Sequence, residues 1–291
     1  MTGDIAILTP DPASEAFAMR WPDVVERLAE PLRAVGLSVD TRSWTDAGDL
    51  TGFGLVLPLT VWGYHESGVR WPDRVRAWEQ DGVRLANPAP VLAWTGDKAY
   101  LARLAERGAP VVPTRYTDRL IEADMFQAAA RFGTDRLVAK PRVSAGAFQT
   151  IRWSPGTPLD DGPTGPAMIQ PYLPDIEITG EISLIYLGGR LSHAIRKVPR
   201  SGDFRVQPEH GAHIARHDPA PDERATAEAV LATIDEPLLY ARVDLVRDLS
   251  GEPVLMEIEL TEPDLYLQYA PAGDAVFVEA VRTHLTAFIA D

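Results

Sequence analysis

Two hydrophobic periods divide this chain. Residues 4–8 form a short apolar run, as in a buried strand, and a helical spacing follows over 14–35. That spacing is interrupted at Trp21-Pro22 and at Pro31, where the proline ring and missing amide oppose a helix. A strand is expected over 37–42. Residues 55–59 are continuously apolar after Gly54, as in an interior parallel strand, and 71–81 read as helix. Strands alternating with helices predict a parallel α/β sheet over roughly the first 90 residues. A helix over 98–107 with Gly108 at its end, a strand over 111–115, a helix over 121–132 and a strand over 137–140 then make a small α+β lobe. After Gln170-Pro171-Tyr172-Leu173-Pro174 the period becomes two. Residues 181–187 and 190–195 alternate on either side of Gly188-Gly189, a two-residue hairpin signal. A helix over 222–234, a second hairpin over 239–260 and a final helix over 275–290 complete the order. The expected fold class is mixed α/β and α+β: an N-terminal parallel lobe (1–97), a small central lobe (98–172) and a C-terminal antiparallel lobe (173–291).

Composition narrows the function classes. At 291 residues the chain can bury a substantial core, and 45% apolar with 24% charged residues is ordinary for a folded soluble protein. No stretch approaches the roughly 20 apolar residues of a membrane span. Met1-Thr2-Gly3-Asp4 lacks a secretory signal pattern, and cysteine is absent. Disulfides, thiolate nucleophiles and Cys-based zinc sites are thereby excluded, and a cytoplasmic setting is expected. A formal net charge of −14 argues against a partner that is nucleic acid.

The sharpest chemical feature is the second hairpin, Arg242-Val243-Asp244-Leu245 with Met256-Glu257-Ile258-Glu259-Leu260. Alternation sets Asp244 opposite Val243 and Leu245, and sets Glu257 and Glu259 opposite Met256, Ile258 and Leu260. A turn centred between Ser250 and Gly251 pairs Asp244 with Glu257 and Val243 with Ile258, and satisfies both faces. Three carboxylates then share one face and repel unless a cation intervenes. Oxygen ligands without His or Cys favour magnesium or manganese over zinc. A merely solvated polar face is the plain alternative.

Lysine occurs only at Lys98, Lys140 and Lys197, the other basic side chains being arginine. Such selective use suggests a need for compact point charges. Lys140 ends an apolar strand and enters Pro141-Arg142-Val143-Ser144-Ala145-Gly146-Ala147, whose small residues can turn backbone N–H groups toward phosphate, although ordinary turns look similar. Arg196, Lys197, Arg200 and Arg205 cluster around Pro199 and Gly202, as a surface loop or as cations facing the hairpin. His210, His213 and His217 read as a loop rather than a metal site. Trp62 and Tyr64 lie beyond a strand end where open α/β sheets bind ligands, and with Gly211 they are candidates for the substrate pocket.

In order, the chain presents Asp97-Lys98, Val138-Ala139-Lys140-Pro141 with its small-residue turn, Gln170-Pro171-Tyr172-Leu173, Gly180-Glu181, and Asp244 with Glu257 and Glu259. That series, over about two-thirds of the chain from 87 to 269, resembles the ATP-grasp superfamily, particularly its glutathione-synthetase-like and RimK-like ligases. The resemblance implies ATP and one or two Mg²⁺ ions, with Mn²⁺ as a substitute. It implies Lys98 and Lys140 on the α- and β-phosphates, a lid over the triphosphate at Ser144, Ala145 and Gly146, and Glu181 at the ribose. Gln170, Pro171, Tyr172 and Leu173 would form the hinge at adenine. Asp244, Glu257 and Glu259 would hold metal, while Arg205 and Lys197 would stabilise the transferred phosphoryl group. Glu259 replaces an Asn of many members, and the lid is poorer in glycine than usual. Gly180-Glu181-Ile182-Ser183-Leu184, His193-Ala194-Ile195-Arg196-Lys197-Val198-Pro199 and Tyr240-Ala241-Arg242-Val243-Asp244 resemble one branch more closely. That branch includes the cyclo-ligases closing the D-cycloserine ring from O-ureido-D-serine.

The resulting expectation is a ligase that activates a small, amino-acid-like carboxylate as an acyl phosphate for attack by nitrogen. A small-molecule kinase on the same fold and a non-catalytic nucleotide-binding regulator remain open, as does the oligomeric state.

Overall fold

The structure is a computed structural model that describes residues 3–14, 20–64 and 70–287. Its first strand, β1 (Gly3–Thr9), buries Ile5, Ala6, Ile7 and Leu8 completely, so both its faces need cover. Helix α1 (Trp21–Ala34) covers one face with the stripe Val24, Val25, Leu28, Ala29 and Leu32. It begins at Trp21-Pro22, where a proline gives up an amide that has no helical partner in the first turn. Pro31, expected to interrupt the helix, does not end it. Burial of Leu28, Ala29 and Leu32 outweighs the roughly 3 kcal/mol of an interior proline. Residues 15–19 of the expected helix lie outside the described residues. Strands β2 (Val39–Ser43) and β3 (Phe53–Leu57) flank β1 in parallel, in the order β2-β1-β3. Helix α2 (Trp71–Gln80) and the short α3 (Ala89–Trp94), which the apolar period did not reveal, cover the second face together with Trp44.

Helix α4 (Tyr100–Glu106) follows, and then the chain departs from the expected strand at 111–115. Pro110 and Pro113 cannot donate to a ladder. Instead Val112 N–H donates to Leu255 O (3.0 Å) and Leu255 N–H to Pro110 O (2.7 Å). The strand itself, β4, is Arg115–Thr117. Helix α5 (Glu122–Phe132) leads to β5 (Leu137–Pro141), β6 (Ile151–Trp153) and β7 (Ala167–Pro171), and the second sheet runs β4-β7-β5-β6. Helix α4 packs Tyr100, Leu101 and Leu104 into a core dominated by the third sheet, which Met168 and Tyr116 of this one also join.

The third sheet is antiparallel. It contains β8 (Glu181–Leu187), β9 (Arg190–Val198), β10 (His213–His217), β11 (Tyr240–Arg247) and β12 (Pro253–Glu259), in the order β10-β9-β8-β11-β12. Gly188 and Gly189 close the first hairpin with φ of 56° and 74°, the left-handed pair a tight hairpin turn requires. His213 and His217, read as loop residues, belong to edge strand β10, where pairing with β9 supersedes the local Gly and Pro signals. Helices α6 (Pro221–Leu231) and α7 (Ala275–Ala287) complete the chain, and residues 288–290 of the expected last helix lie outside the described residues. No described helix is long and apolar enough to cross a membrane.

Parallel and antiparallel parts share buried surface. Ile5, Ile7, Leu55 and Leu57 belong to one cluster with Ile185, Leu187, Tyr240 and Phe277. Fully buried Asn87 joins them by donating from Nδ2 to Tyr240 O (2.9 Å) and Leu260 O (2.8 Å). Its Oδ1 accepts from the amides of Leu239 (2.8 Å) and Tyr240 (3.3 Å). Each buried group left unpaired costs about 1–3 kcal/mol. Asn87→Ala should therefore lower the unfolding free energy by about 3 kcal/mol or more, read as a fall in urea midpoint at constant slope. A loss below about 1 kcal/mol would show that water replaces these bonds.

Candidate active site

The second and third sheets face each other across a cavity of about 670 Å³, within the range of small-molecule sites. One wall is the β11–β12 hairpin. Its register pairs Asp244 with Glu257 and Val243 with Ile258, as the two-face argument required. A register shift beside Leu245 then pairs Leu245 with Leu255, and Met256 becomes the extra residue of a bulge. Met256 therefore leaves the core face to which alternation assigned it. It packs with Val246, Val254 and Leu173 at the apolar end of the cavity, while Val243, Leu245, Leu255, Ile258 and Leu260 form the core behind the hairpin.

Asp244, Glu257 and Glu259 share the cavity face, but each leans on a protein cation, Glu257 on Lys98 and the other two on Arg242. Lys98 Nζ lies 3.1 Å from Glu257 Oε1. Arg242 grips Asp244 (Nε–Oδ1 3.0 Å, Nη2–Oδ2 2.9 Å) and also reaches Glu259. Ser183 donates to Asp244 at 2.6 Å. Burial opposes ionisation of Glu257, yet Lys98 and Lys140 hold its carboxyl below the usual range. Burial pushes Glu259 up to about 7, with Arg242 pulling the other way. As placed, no three His, Asp or Glu side chains among the described residues converge on one point, so the expected metal cluster is not preformed. The donor chemistry nevertheless fits a hard divalent cation. Glu257 and Glu259 are about a quarter exposed to the cavity, and both are oxygen donors, with no His lining the cavity among the described residues.

Lys197 corrects the picture of a basic loop. It lies in β9, directly opposite Glu181, where it is buried and bonded to Glu181 Oε1 (2.7 Å), with Asp244 Oδ1 at 3.9 Å. Gly180 permits this approach, because a Cβ there would sit 2.4 Å from Lys197 O. Glu181 faces the cavity with one oxygen already engaged. Arg205 also lines the cavity, but its guanidinium is held by Asp203 (2.8 Å). Arg196 and Arg200 are exposed and outside the cavity wall.

The opposite wall comes from the central sheet. Lys140 emerges at the end of β5, and burial lowers its pKa while Glu257 opposes the shift. Lys98 Nζ donates to Ser144 O (2.6 Å), tying the turn at 144–147 to the hairpin carboxylate Glu257. Ser144, Ala145, Gly146 and Ala147 line the cavity, and left-handed φ at Ala147 (59°) and Gln149 (49°) marks backbone strain in that turn. Gln170 and Pro171 sit on β7 beside an apolar slot built from Val112, Val138, Leu173, Val206, Val246 and Met256. Tyr172 differs from the hinge expectation: its amide is spent on Arg136 O (2.8 Å), so that N–H cannot read a base.

Trp62 and Tyr64 line the far end, Trp62 beneath Arg20 (5.0 Å) and Tyr64 against Trp71 (5.7 Å). Gly211 does not line the cavity. Its φ of 81° closes the short turn whose Pro208 and Glu209 do. His210 faces Gly146 O at 3.5 Å, and His217 bonds Glu223 at 2.7 Å, so the histidines are dispersed. Sequence reasoning missed several cavity residues, Arg242 and Glu262 among them. Arg242 was legible, since it shares alternation with Asp244. Glu262 was not, because it lies beyond the strand, where no period applies.

Residues 5–87 match the family model described as the N-terminal domain of D-cycloserine synthetase DcsG. Over 287 residues the chain is 31% identical to the cycloserine biosynthesis protein DcsG of Streptomyces lavendulae, spanning 89% of this chain and 92% of that one. The chain belongs to the DcsG family of ATP-grasp ligases. Members of this class are ATP-dependent enzymes forming C–N bonds, and the mixed three-sheet fold is theirs. The crystal structure of D-cycloserine synthetase DcsG matches this DcsG-family chain with TM-score 0.80 at 29% identity, covering 97% of this chain and 100% of that one. The ATP-grasp ligase PsnB, complexed with a phosphomimetic variant of its minimal precursor, Mg and ADP, shares the fold (TM-score 0.64, 14% identity, 97% and 98% covered).

Because Lys98 ties the turn at 144–147 to Glu257, Lys98→Met should loosen that turn. Hydrogen exchange across 143–149 should quicken by at least tenfold, with β8 and β11 unchanged. Unaltered exchange would show that the turn is held without it.

Proposed function

We propose that this DcsG-family ligase is a cyclo-ligase that closes a ring within an O-ureidoserine-like amino acid. The supporting observation is one cavity in which Lys98 and Lys140 of one wall meet Glu257 and Glu259 of the other. Such an arrangement suits a polyphosphate whose charge is shared between lysines and a carboxylate-held cation. Glu257 and Glu259, with Asp244 if it releases Arg242, would hold Mg²⁺, which supplies charge neutralisation to the triphosphate. The apolar slot beside Gln170, Pro171 and Leu173 suits a flat base. Glu181 stands where a ribose hydroxyl could use its second oxygen. The lobes 1–97, 98–172 and 173–291 are the working division, with α4 strapping the second to the third.

In this reading a substrate carboxylate oxygen attacks the γ-phosphorus, and ADP leaves. Lys140 offsets charge on the phosphates, and Arg205, held on Asp203, faces the group in transfer. A nitrogen of the same molecule then attacks the acyl carbon and gives up its proton. Phosphate departs carrying one substrate oxygen. The turn at 144–147 excludes water from the acyl phosphate.

An ¹⁸O-labelled substrate carboxylate should thus deliver label into inorganic phosphate, in equal amount with ADP and ring product. Unlabelled phosphate alongside ring formation would rule out the route, and a stable phosphorylated substrate without free phosphate would mark a kinase. Lys140→Met should weaken ATP binding by roughly tenfold to a hundredfold, since a charge-assisted bond contributes about 1.5–3 kcal/mol. Glu257→Gln should lower Mg-dependent turnover by orders of magnitude while the fold persists by circular dichroism. Full activity in Glu257→Gln would take the hairpin out of the chemistry.

A further inference from the structure

Glu262 is a cavity carboxylate that the phosphoryl-transfer reading leaves without work and, unlike Glu209 and Asp264 beside Arg20, has no ion pair among the described residues. It is partly buried, and its Oε2 is enclosed by protein without a hydrogen-bond partner among the described residues. Its position is fixed from both sides. Before it, Thr261 Oγ1 bonds Thr95 Oγ1 (2.8 Å), and Tyr240 OH donates to Thr261 O (2.9 Å). After it, Tyr266 N–H donates to Asp264 (2.9 Å), and His193 Nε2 donates to Leu265 O (3.0 Å). The cations whose charge reaches it are already engaged, Lys98 by Glu257 and Ser144 O, Arg242 by Asp244 and Glu259. A carboxyl oxygen enclosed without a partner costs about 1–3 kcal/mol and asks for an explanation.

We propose that Glu262 selects the substrate's cationic amino group. This inference rests on the reading of an amino-acid-like substrate. The Glu262 end of the cavity is negative, with Glu259 and Glu257 near, and is walled by Tyr64. A compact ammonium supplies the missing donors and the opposite charge together. Burial, reinforced by Glu259, pushes the Glu262 carboxyl well above its ordinary pKa, and an arriving ammonium favours the ionised form. The contact also silences the amino group as a nucleophile toward a second molecule. An ammonium held on a carboxylate has no lone pair, so the acyl phosphate is left to the ureido end of its own molecule.

The test compares O-ureido-D-serine with its desamino counterpart, 3-(ureidooxy)propanoate, on wild type, Glu262→Gln and Glu262→Asp. Calorimetry with Mg²⁺ and a non-hydrolysable ATP analogue should show wild type preferring the amine-bearing acid by at least tenfold. Glu262→Gln should abolish that preference, leaving affinity for the desamino acid and for nucleotide within about twofold, and Glu262→Asp should recover part of it. Since Gln removes an unpartnered carboxyl, its melting temperature should not fall. Equal losses for both acids, a preference kept in Glu262→Gln, or none in wild type overturns the assignment. So does a fall in kcat with intact preference and a lost limb of the pH profile, which would make Glu262 a proton acceptor. Ring product is read separately. A wild type that shows the preference yet closes no ring defeats the cyclo-ligase reading and leaves the role of Glu262 standing.

Discussion

Everything at the cavity depends on Arg242, which lies between Asp244 and Glu259 on the cavity face of the hairpin. Carboxylates out of water are costly unless paired, and removing one member of such a pair leaves an uncompensated charge. Lys197 does for Glu181 what Arg242 does for Asp244, one strand pair away. These charges occupy adjacent strands in alternate positions, so the sheet can present them only because its reverse face is apolar. Val243, Leu245, Ile258 and Leu260 fix that reverse face against α4 and α6. A one-residue slip would send every carboxylate into the core. Charge pairing and hydrophobic burial thus select the same register.

That agreement explains how much the sequence reveals. Two opposed faces determine the pairing of Asp244 with Glu257, and it is found. The bulge at Met256 escapes, because an added residue changes the register behind the hairpin without altering it at the carboxylates. The cations escape in part for a different reason. Arg242 shares a strand with Asp244 and could be placed by alternation. Lys197 is brought to Glu181 by the register between β8 and β9, which the Gly188-Gly189 turn sets, and it had been grouped instead with the loop that follows. Strand β10 and the short β6 lack enough residues for a period to emerge, and only neighbouring strands make them visible.

The bulge has a structural consequence as well. By turning Met256 toward Val246 and Leu173, it creates an apolar end beside a charged one within a single cavity. A ligand with a flat apolar part and an anionic part meets both without any movement of the sheet. The walls are not independent, since α4 connects the central sheet to the core of the third, and Asn87 joins the parallel sheet to β11. The turn at 144–147 is tied to other elements more lightly, through the Lys98 ammonium and a long bond from His210.

The use of lysine follows from the same division between fixed and exchangeable charge. Arginine serves where a carboxylate is gripped by two nitrogens: Arg242 on Asp244, Arg205 on Asp203, Arg142 on Asp97. A planar fork matched to a carboxylate is preorganised for one geometry. All three lysines line the cavity. Lys98 contacts a carbonyl of the turn at 144–147 and a carboxylate of the hairpin, and neither contact is bidentate. A point charge on a flexible stem can leave such partners for a phosphate oxygen with little reorganisation, whereas a forked pair must break two bonds at once. Lys197 is the exception that clarifies the rule, being buried and committed to Glu181. There the compact ammonium fits between Glu181, Asp244 and the ring of Tyr266, a space in which a guanidinium would compete with that of Arg242.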